Sequence, residues 1–145
     1  RAYKVAEHQH TPEMEQELGK LAGRKVSFTF VPHLLPMIRG ILSTIYTRLT
    51  VNMTEEEIRD IYREFYREAK FVRLLPPPLL AETRNVYAAN YCDLSLKWDR
   101  RKNRLIILSA LDNLVKGAAG QAVQNMNLML GFKEEEGLEM VPLRP

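Results

Sequence analysis

Cysteine, long apolar runs and excess charge are all scarce in this sequence, and each scarcity excludes a class of protein. The 145 residues contain one cysteine, Cys92, so neither an internal disulfide nor a multi-cysteine metal site can form. No apolar run approaches the roughly 20 residues that a membrane-spanning helix needs. The 21 basic and 18 acidic residues leave a net charge of +3, which is too small an excess to indicate nucleic-acid binding.

What remains is the composition of an ordinary globular domain. Hydrophobic residues make up 46% and charged residues 27% of the sequence, and a chain of this length fits one domain, so we expect residues 1–145 to form a single domain. No signal-peptide pattern is present, and the lone cysteine suits a reducing compartment, which favours the cytoplasm, or a plastid for a plant protein. The first residue is Arg1 rather than methionine, so we expect the sequence to begin inside a longer chain or after processing.

The spacing of apolar residues predicts three helices and five strands. Thr11 is the expected cap of the first helix, which Gly23 ends, and Thr54 with Glu57 forms a capping box for the second. The helices are predicted at 11–21, 54–70 and 114–130, and the strands at 26–30, 41–49, 71–75, 86–98 and 104–109.

This order of elements favours an α+β fold with a mixed, mostly antiparallel sheet and helices on one face. Ile45, Leu96 and Trp98 are poor residues for contact with solvent. We therefore expect a second subunit to cover the other face of the sheet.

Two imidazoles and a carboxylate, His8, His10 and Glu13, meet at the start of the first helix. The positive end of a helix favours a neutral imidazole, which can take a proton from a thiol or hydroxyl. The alternatives are that the histidines only satisfy backbone groups near the cap, or that they bind zinc together with Glu13 or His33.

Three further features are candidates for chemistry. His33 and Arg39 flank a proline-rich bend, where Arg39 can hold a carboxylate or phosphate, or simply pair with a surface acid. Gly117 and Gly120 weaken a predicted helix and so indicate close packing or ligand contact. Cys92 lies on the apolar face of a predicted strand, which favours a buried, inert thiol.

Together these segments resemble one family, N-acetyl-gamma-glutamyl-phosphate reductase, over essentially the whole chain. The helix that begins Asp-Asn-Leu-Val-Lys-Gly-Ala-Ala-Gly-Gln is its most specific motif, and Ala89 departs from the family's serine. The matching segments are His8-Gln9-His10-Thr11-Pro12-Glu13, residues 30–40, Asn90-Tyr91-Cys92-Asp93 and residues 112–132.

The resemblance implies NADPH-dependent reduction of N-acetyl-glutamyl phosphate to the semialdehyde, with release of phosphate, in arginine biosynthesis. It implies a C-terminal domain of the glyceraldehyde-3-phosphate-dehydrogenase type, assembled through its sheet into a homodimer or homotetramer. By position, His10, or else His8, resembles the base that activates the catalytic thiol, with Glu13 in support. Arg39 and His33 resemble substrate-contacting residues, and Asn113 with Gly117 resembles the contact to the nicotinamide.

In the family, the catalytic cysteine and the NADP-binding Rossmann domain precede these motifs, so we expect this chain to be inactive alone. Two alternatives remain. One is a reductase of carrier-protein-bound aminoadipyl phosphate in lysine biosynthesis, which shares the motifs. The other is a module that serves only oligomerisation.

Overall fold

The structure, a computed structural model, describes residues 1–143. It divides into two compact units, residues 1–38 and the residues from Arg39 onward, and each unit has its own internal contacts. Among the described residues, no helix is both long and apolar enough to cross a membrane.

The first unit is one helix flanked by two segments without further helix or strand. Helix α1 spans His10–Ala22 and ends, as predicted, at Gly23 in the left-handed conformation. Thr11 does not cap it, because the helix begins one residue earlier and the N-cap position is Gln9, which makes no side-chain hydrogen bond. The strand predicted at residues 26–30 is absent. Backbone hydrogen bonds from Tyr3 to Pro32 and from Ala6 to Phe30 join the two segments instead.

The second unit is built on a four-stranded sheet of order β1-β4-β3-β2. The first three strands in this order are antiparallel neighbours, and β2 runs parallel to β3. The prediction of an α+β fold with a mixed, mostly antiparallel sheet is therefore confirmed. The strands are β1 at Ile41–Arg48, β2 at Val72–Leu74, β3 at Cys92–Asp99 and β4 at Arg104–Leu111.

Helix α2, Glu55–Phe65, covers one face of this sheet, which we call the helix face. The predicted capping box is present, because Thr54 accepts from the Glu57 N–H and the Glu57 carboxylate accepts from the Thr54 N–H. Ile58 is the only apolar residue of α2 that is fully buried, and it packs with Leu96 and Leu105, with Trp98 against this cluster. The helix is shorter than predicted because residues 66–70 form turns that lead into β2.

Within residues 1–143, the opposite face of the sheet is covered only at one end. There Ala81 and Val86 pack on Ala110, and the Ala81 N–H donates to Ser95. The rest of this face, which we call the open face, carries Leu42, Thr44, Tyr46, Lys97 and Ile106. Leu42 is 52% and Tyr46 62% exposed. Of the three residues behind the expectation of a second subunit, Leu96 and Trp98 need none because α2 covers them. Ile45 lies on the same helix face and is 44% exposed.

Two predicted elements differ from those observed. Residues 86–91 are a buried loop rather than the start of β3, and Ala88 has a positive φ of 60° that no strand allows. The last helix begins with a π-helical turn, Val115–Ala119, before helix α3, Gly120–Leu130. Gly131 ends it in the left-handed conformation, as predicted.

The capping box at Thr54 gives a direct test of this fold. Replacing Thr54 with alanine leaves the Glu57 N–H without its partner, and we expect the free energy of unfolding to fall by about 1 kcal/mol. Urea unfolding followed by the fluorescence of Trp98, the one tryptophan, measures this. Thr50→Ala, at an exposed position outside the helix, is the matched control and should change the free energy by less than about 0.5 kcal/mol.

Candidate functional site

The histidine pair of the first unit is held by a hydrogen bond inside the pair. The His10 N–H, at the first residue of α1, donates to Nδ1 of His8 over 3.2 Å. The two rings meet edge to face with their centres 5.0 Å apart. The prediction that His8 and His10 converge at the helix start is confirmed in this geometry.

His8 is half-buried between two aromatic rings. Tyr3 and Phe30 contact it edge to face, at centroid distances of 5.6 Å and 5.3 Å. This burial lowers the pKa of His8 below the ordinary value of 6.5, and the nearby charges of His10 and Lys4 lower it further. His8 is therefore held neutral, with its ring proton on Nε2 because Nδ1 accepts the His10 N–H.

His10 has a different environment, because its side chain is exposed and makes no hydrogen bond to residues 1–143. An imidazole without a fixed partner can present a basic nitrogen to an incoming group. Glu13 lies in the first turn of α1 and makes no hydrogen bond to either histidine in the part of the chain that the structure describes.

His33 lies away from this pair in its contacts. Its backbone forms an isolated bridge with Ala2, and its Nδ1 is 3.1 Å from the carbonyl oxygen of Val31. Within residues 1–143, no three histidine, cysteine, aspartate or glutamate side chains come together as ligands for a metal ion.

In the second unit, Arg39 pairs with the buried side chain of Asp112 rather than with a surface acid. Nη2 donates to Oδ1 over 2.9 Å, and Nε lies 2.9 Å from Oδ2. The guanidinium also stacks over Tyr87, 4.9 Å from the ring centre. These contacts raise the pKa of Arg39 above its ordinary value, chiefly through the hydrogen bond to Asp112, so this side chain is a permanent cation.

Asn113 makes the neighbouring cross-link. Its Oδ1 accepts the N–H of Gly40 over 2.6 Å, at a backbone position where φ is +118° and glycine is favoured. Because the amide oxygen is used, Nδ2 is the atom that Asn113 can offer to a ligand. The pairing of Arg39 with Asp112 uses Nη2 and Nε, and Nη1 takes no part in it.

Asp112 itself is the residue that sequence analysis missed as part of this site. Burial favours its neutral form, but hydrogen bonds from Arg39 and from the backbone N–H groups of Ala88, Leu114 and Val115 outweigh this effect and lower its pKa below 3.8. The signal was available, since aspartate is a preferred residue near the start of a helix. Here it accepts the N–H groups of Leu114 and Val115, the N-cap and first residue of the π-helical turn.

The two glycines of the last helix are explained by packing inside the second unit. A Cβ at Gly117 would lie 3.3 Å from a methyl group of Leu111. A Cβ at Gly120 would overlap the side chains of Asn90 and Val115. Cys92 is half-buried on the helix face, with its Sγ 3.4 Å from the hydroxyl of Ser109.

Residues 1–113 of the chain match the sequence model of a family described as semialdehyde dehydrogenase, dimerisation domain. The chain is 54% identical over 145 residues to N-acetyl-gamma-glutamyl-phosphate reductase of Pelotomaculum thermopropionicum. It is 56% identical over 144 residues to the protein of the same name in Desulforamulus reducens. The two matches cover 100% and 99% of this chain but only 42% of each relative.

A solved structure, aspartate semialdehyde dehydrogenase II from Vibrio cholerae, resembles the fold with a TM-score of 0.64 at 18% identity. The match covers 85% of this chain and 37% of that one. At this identity the likeness concerns the fold alone.

The environment of His8 predicts its titration. In an NMR titration of the protein, we expect the His8 ring to titrate below pH 6.5, the ordinary value. At a pH below 6.5, the unfolded chain binds more protons at His8 than the folded chain does. The free energy of unfolding should therefore fall as the pH drops through 6.5. Phe30→Ala exposes the ring and should raise its pKa toward 6.5. Phe28→Ala, which removes no described ring contact to His8, should leave it in place.

Proposed function

The chain belongs to the semialdehyde dehydrogenase family by its dimerisation domain, and on that premise we propose that the full-length protein is an NADPH-dependent reductase of N-acetyl-glutamyl phosphate. The observation that carries the proposal is the 54% identity, over all 145 residues, to a reductase of that name. The chain spans less than half the length of such relatives. The activity is therefore proposed for the complete protein, with this chain as one part of it.

In this proposal, His10 is the base. The nucleophile is a cysteine outside this chain, whose thiolate attacks the acyl phosphate so that a thioester forms and phosphate leaves. His10 takes the thiol proton and can pass it to the departing phosphate. The hydrogen bond within the histidine pair supports this choice over His8, because the Nδ1 lone pair of His8 is already occupied by the His10 N–H.

The remaining roles in the first unit are for support. The neutral His8 fixes the backbone of His10 and adds no second positive charge beside it. Glu13, three residues further along α1, is placed to hold the imidazolium that His10 becomes. His33 is exposed and is proposed as a contact to the substrate.

Arg39 is the proposed binding residue for an anionic group of the substrate, its carboxylate or its phosphate. The guanidinium is held on one edge by Asp112 and on one face by Tyr87. Nη1 takes no part in the pairing with Asp112, and an arginine held in this way binds a carboxylate or phosphate with little loss of side-chain entropy.

Asn113 is the proposed contact for the cofactor. NADPH, when bound, supplies the hydride that reduces the thioester to the aldehyde. The fit rests on the Gly40 hydrogen bond, which occupies Oδ1 of Asn113 and leaves Nδ2 as the donor proposed for the carboxamide oxygen of the nicotinamide. Gly117 is proposed as a second residue near the cofactor. A Cβ at this position would lie 3.3 Å from a methyl group of Leu111. The rest of the cofactor is assigned to a Rossmann domain outside this chain.

The open face of the sheet supports a second role in assembly. The family model is that of a dimerisation domain, and this face exposes Leu42 and Tyr46 on the edge strand β1 with Ile106 beside them. We propose that it packs on the same face of a second copy, in a dimer or in a tetramer of such dimers.

The proposed base is tested in the full-length protein by the phosphate-dependent oxidation of N-acetyl-glutamate semialdehyde with NADP. We expect His10→Asn to lower kcat by about 100-fold or more, and His8→Asn to have the smaller effect. The present chain alone should show no turnover.

Three outcomes would contradict parts of this proposal. Full activity of His10→Asn together with loss of activity in His8→Asn moves the base to His8. A wild-type enzyme that turns over only a carrier-protein-bound substrate is the lysine-pathway reductase. Turnover by the present chain alone shows that the missing nucleophile and cofactor domain are not needed.

A negative charge introduced on the open face tests whether this face is the interface. Tyr46→Glu places a carboxylate on the open face, and light scattering of the full-length protein should show a smaller oligomer. Phe65→Glu, at the end of α2 and 73% exposed against 62% for Tyr46, is the matched control and should keep the native mass. An unchanged mass for Tyr46→Glu would remove the open face as the interface.

A further inference from the structure

We propose that Asp112 is a positioning residue that sets two ligand-facing side chains at once, Arg39 and Asn113. The inference rests on the proposed function, in which Arg39 binds an anionic group of the substrate and Asn113 contacts the cofactor. Asp112 is 1% exposed, so its carboxylate cannot reach either ligand itself. Its role is to hold the two groups that do.

The register of the sheet brings these residues together. In the antiparallel pair of β1 and β4, Ile41 lies opposite Leu111. Arg39 and Gly40 directly precede β1, and Asp112 and Asn113 directly follow β4. The segment that enters β1 and the segment that leaves β4 are therefore adjacent at one end of the sheet. Two hydrogen bonds join them, from Arg39 to Asp112 and from Gly40 to Asn113.

Asp112 holds the first of these segments through its charge. Both carboxylate oxygens face the guanidinium of Arg39, with nitrogen–oxygen distances of 2.9 Å to Nη2 and to Nε. The same carboxylate accepts the Ala88 N–H over 2.6 Å. That bond fixes the residue next to Tyr87, whose ring lies against the other side of the guanidinium. Arg39 is thus clamped on an edge and on a face by groups that depend on Asp112.

Asp112 holds Asn113 through the backbone that follows it. The N–H groups of Leu114 and Val115 donate to Oδ1 over 2.9 Å and 3.2 Å. The backbone carbonyl of Asp112 accepts from Gly117 over 2.9 Å, within the π-helical turn. These bonds set the direction of the chain on both sides of Asn113, and the Gly40 bond then fixes its side chain. Loss of the charge at Asp112 should loosen both ligand-facing groups together.

The chain contains a second arginine–aspartate–tyrosine arrangement that serves as a control. Asp93 on β3 is also 1% exposed and accepts from Nε and Nη2 of Arg73 at 2.6 Å and 3.0 Å. Arg73 stacks over Tyr91, 4.5 Å from the ring centre. This arrangement has the same chemistry, but it holds no residue that we assign to a ligand.

The test compares Asp112→Asn with Asp93→Asn in the full-length protein. The measurements are KM for the semialdehyde, for phosphate and for NADP, the dissociation constant of NADP by calorimetry, and the melting temperature. Both variants should melt at a lower temperature than the wild type. Asp112→Asn should also raise the KM for the semialdehyde or for phosphate, and the dissociation constant of NADP. Each should rise by about tenfold, as expected for a lost charge-assisted hydrogen bond. Asp93→Asn should leave all of these constants unchanged.

Single variants of the two held residues complete the pattern. Arg39→Gln should raise only the KM for the semialdehyde or for phosphate. Asn113→Ala should raise only the dissociation constant of NADP. Asp112→Asn is then the one variant of the three that raises both. If Asp112→Asn does not fold, Asp112→Glu carries the test, since it keeps the charge and displaces it by one methylene group.

The proposal is overturned if Asp112→Asn lowers only the melting temperature, or weakens only one of the two ligands. A wild-type enzyme without turnover on the semialdehyde contradicts the proposed function instead. In that case, calorimetric titrations of the same variants with NADP and with inorganic phosphate still decide whether Asp112 couples the two sites.

Discussion

The carboxylate of Asp112 is the interaction on which the rest of the second unit's site depends. A buried charge without partners is strongly unfavourable, so a fully enclosed aspartate is tolerated only when hydrogen bonds and an opposite charge surround it. Here Arg39 supplies the charge, and the N–H groups of Ala88, Leu114 and Val115 supply the rest. Because these partners come from three separate stretches of chain, satisfying one carboxylate ties together the entry to β1, the loop before β3 and the start of the last helix.

The two units fix the charge of their candidate site residues by different interactions. In the second unit, hydrogen bonds lower the pKa of Asp112 and keep Arg39 charged. In the first unit, aromatic rings around His8 lower its pKa and keep it neutral. A neutral His8 holds the backbone of the proposed base His10 without placing a second positive charge beside it, whereas an anion-binding arginine must be charged throughout. The surroundings of each group therefore suit the role proposed for it.

Local signals in the sequence predicted the elements that depend on a few neighbouring residues. The capping box at Thr54, the helix ends at Gly23 and Gly131 and the strands of the hairpin are all of this kind. The failures arose where distant residues decide the outcome. Residues 26–30 alternate like a strand, yet a strand also needs a partner, and residues 86–91 are held as a loop by burial and by the Asp112 bond to Ala88. The proline-rich bend indicated Arg39 and the family resemblance implied Asn113, but neither indicated the contacts that join them.

The sheet register explains why the site of the second unit could not be found by spacing alone. Arg39 and Asp112 lie 73 positions apart, and only the pairing of Ile41 with Leu111 makes their segments neighbours. A slip of one residue between β1 and β4 would turn every side chain of the slipped strand to the other face, and would separate both cross-links at once. Leu105 is buried on the helix face of β4, where it packs with Ile58 and Leu96, and a slip that turned β4 over would expose it. The core of the sheet thus fixes the register, and the register fixes the geometry of Arg39 and Asn113.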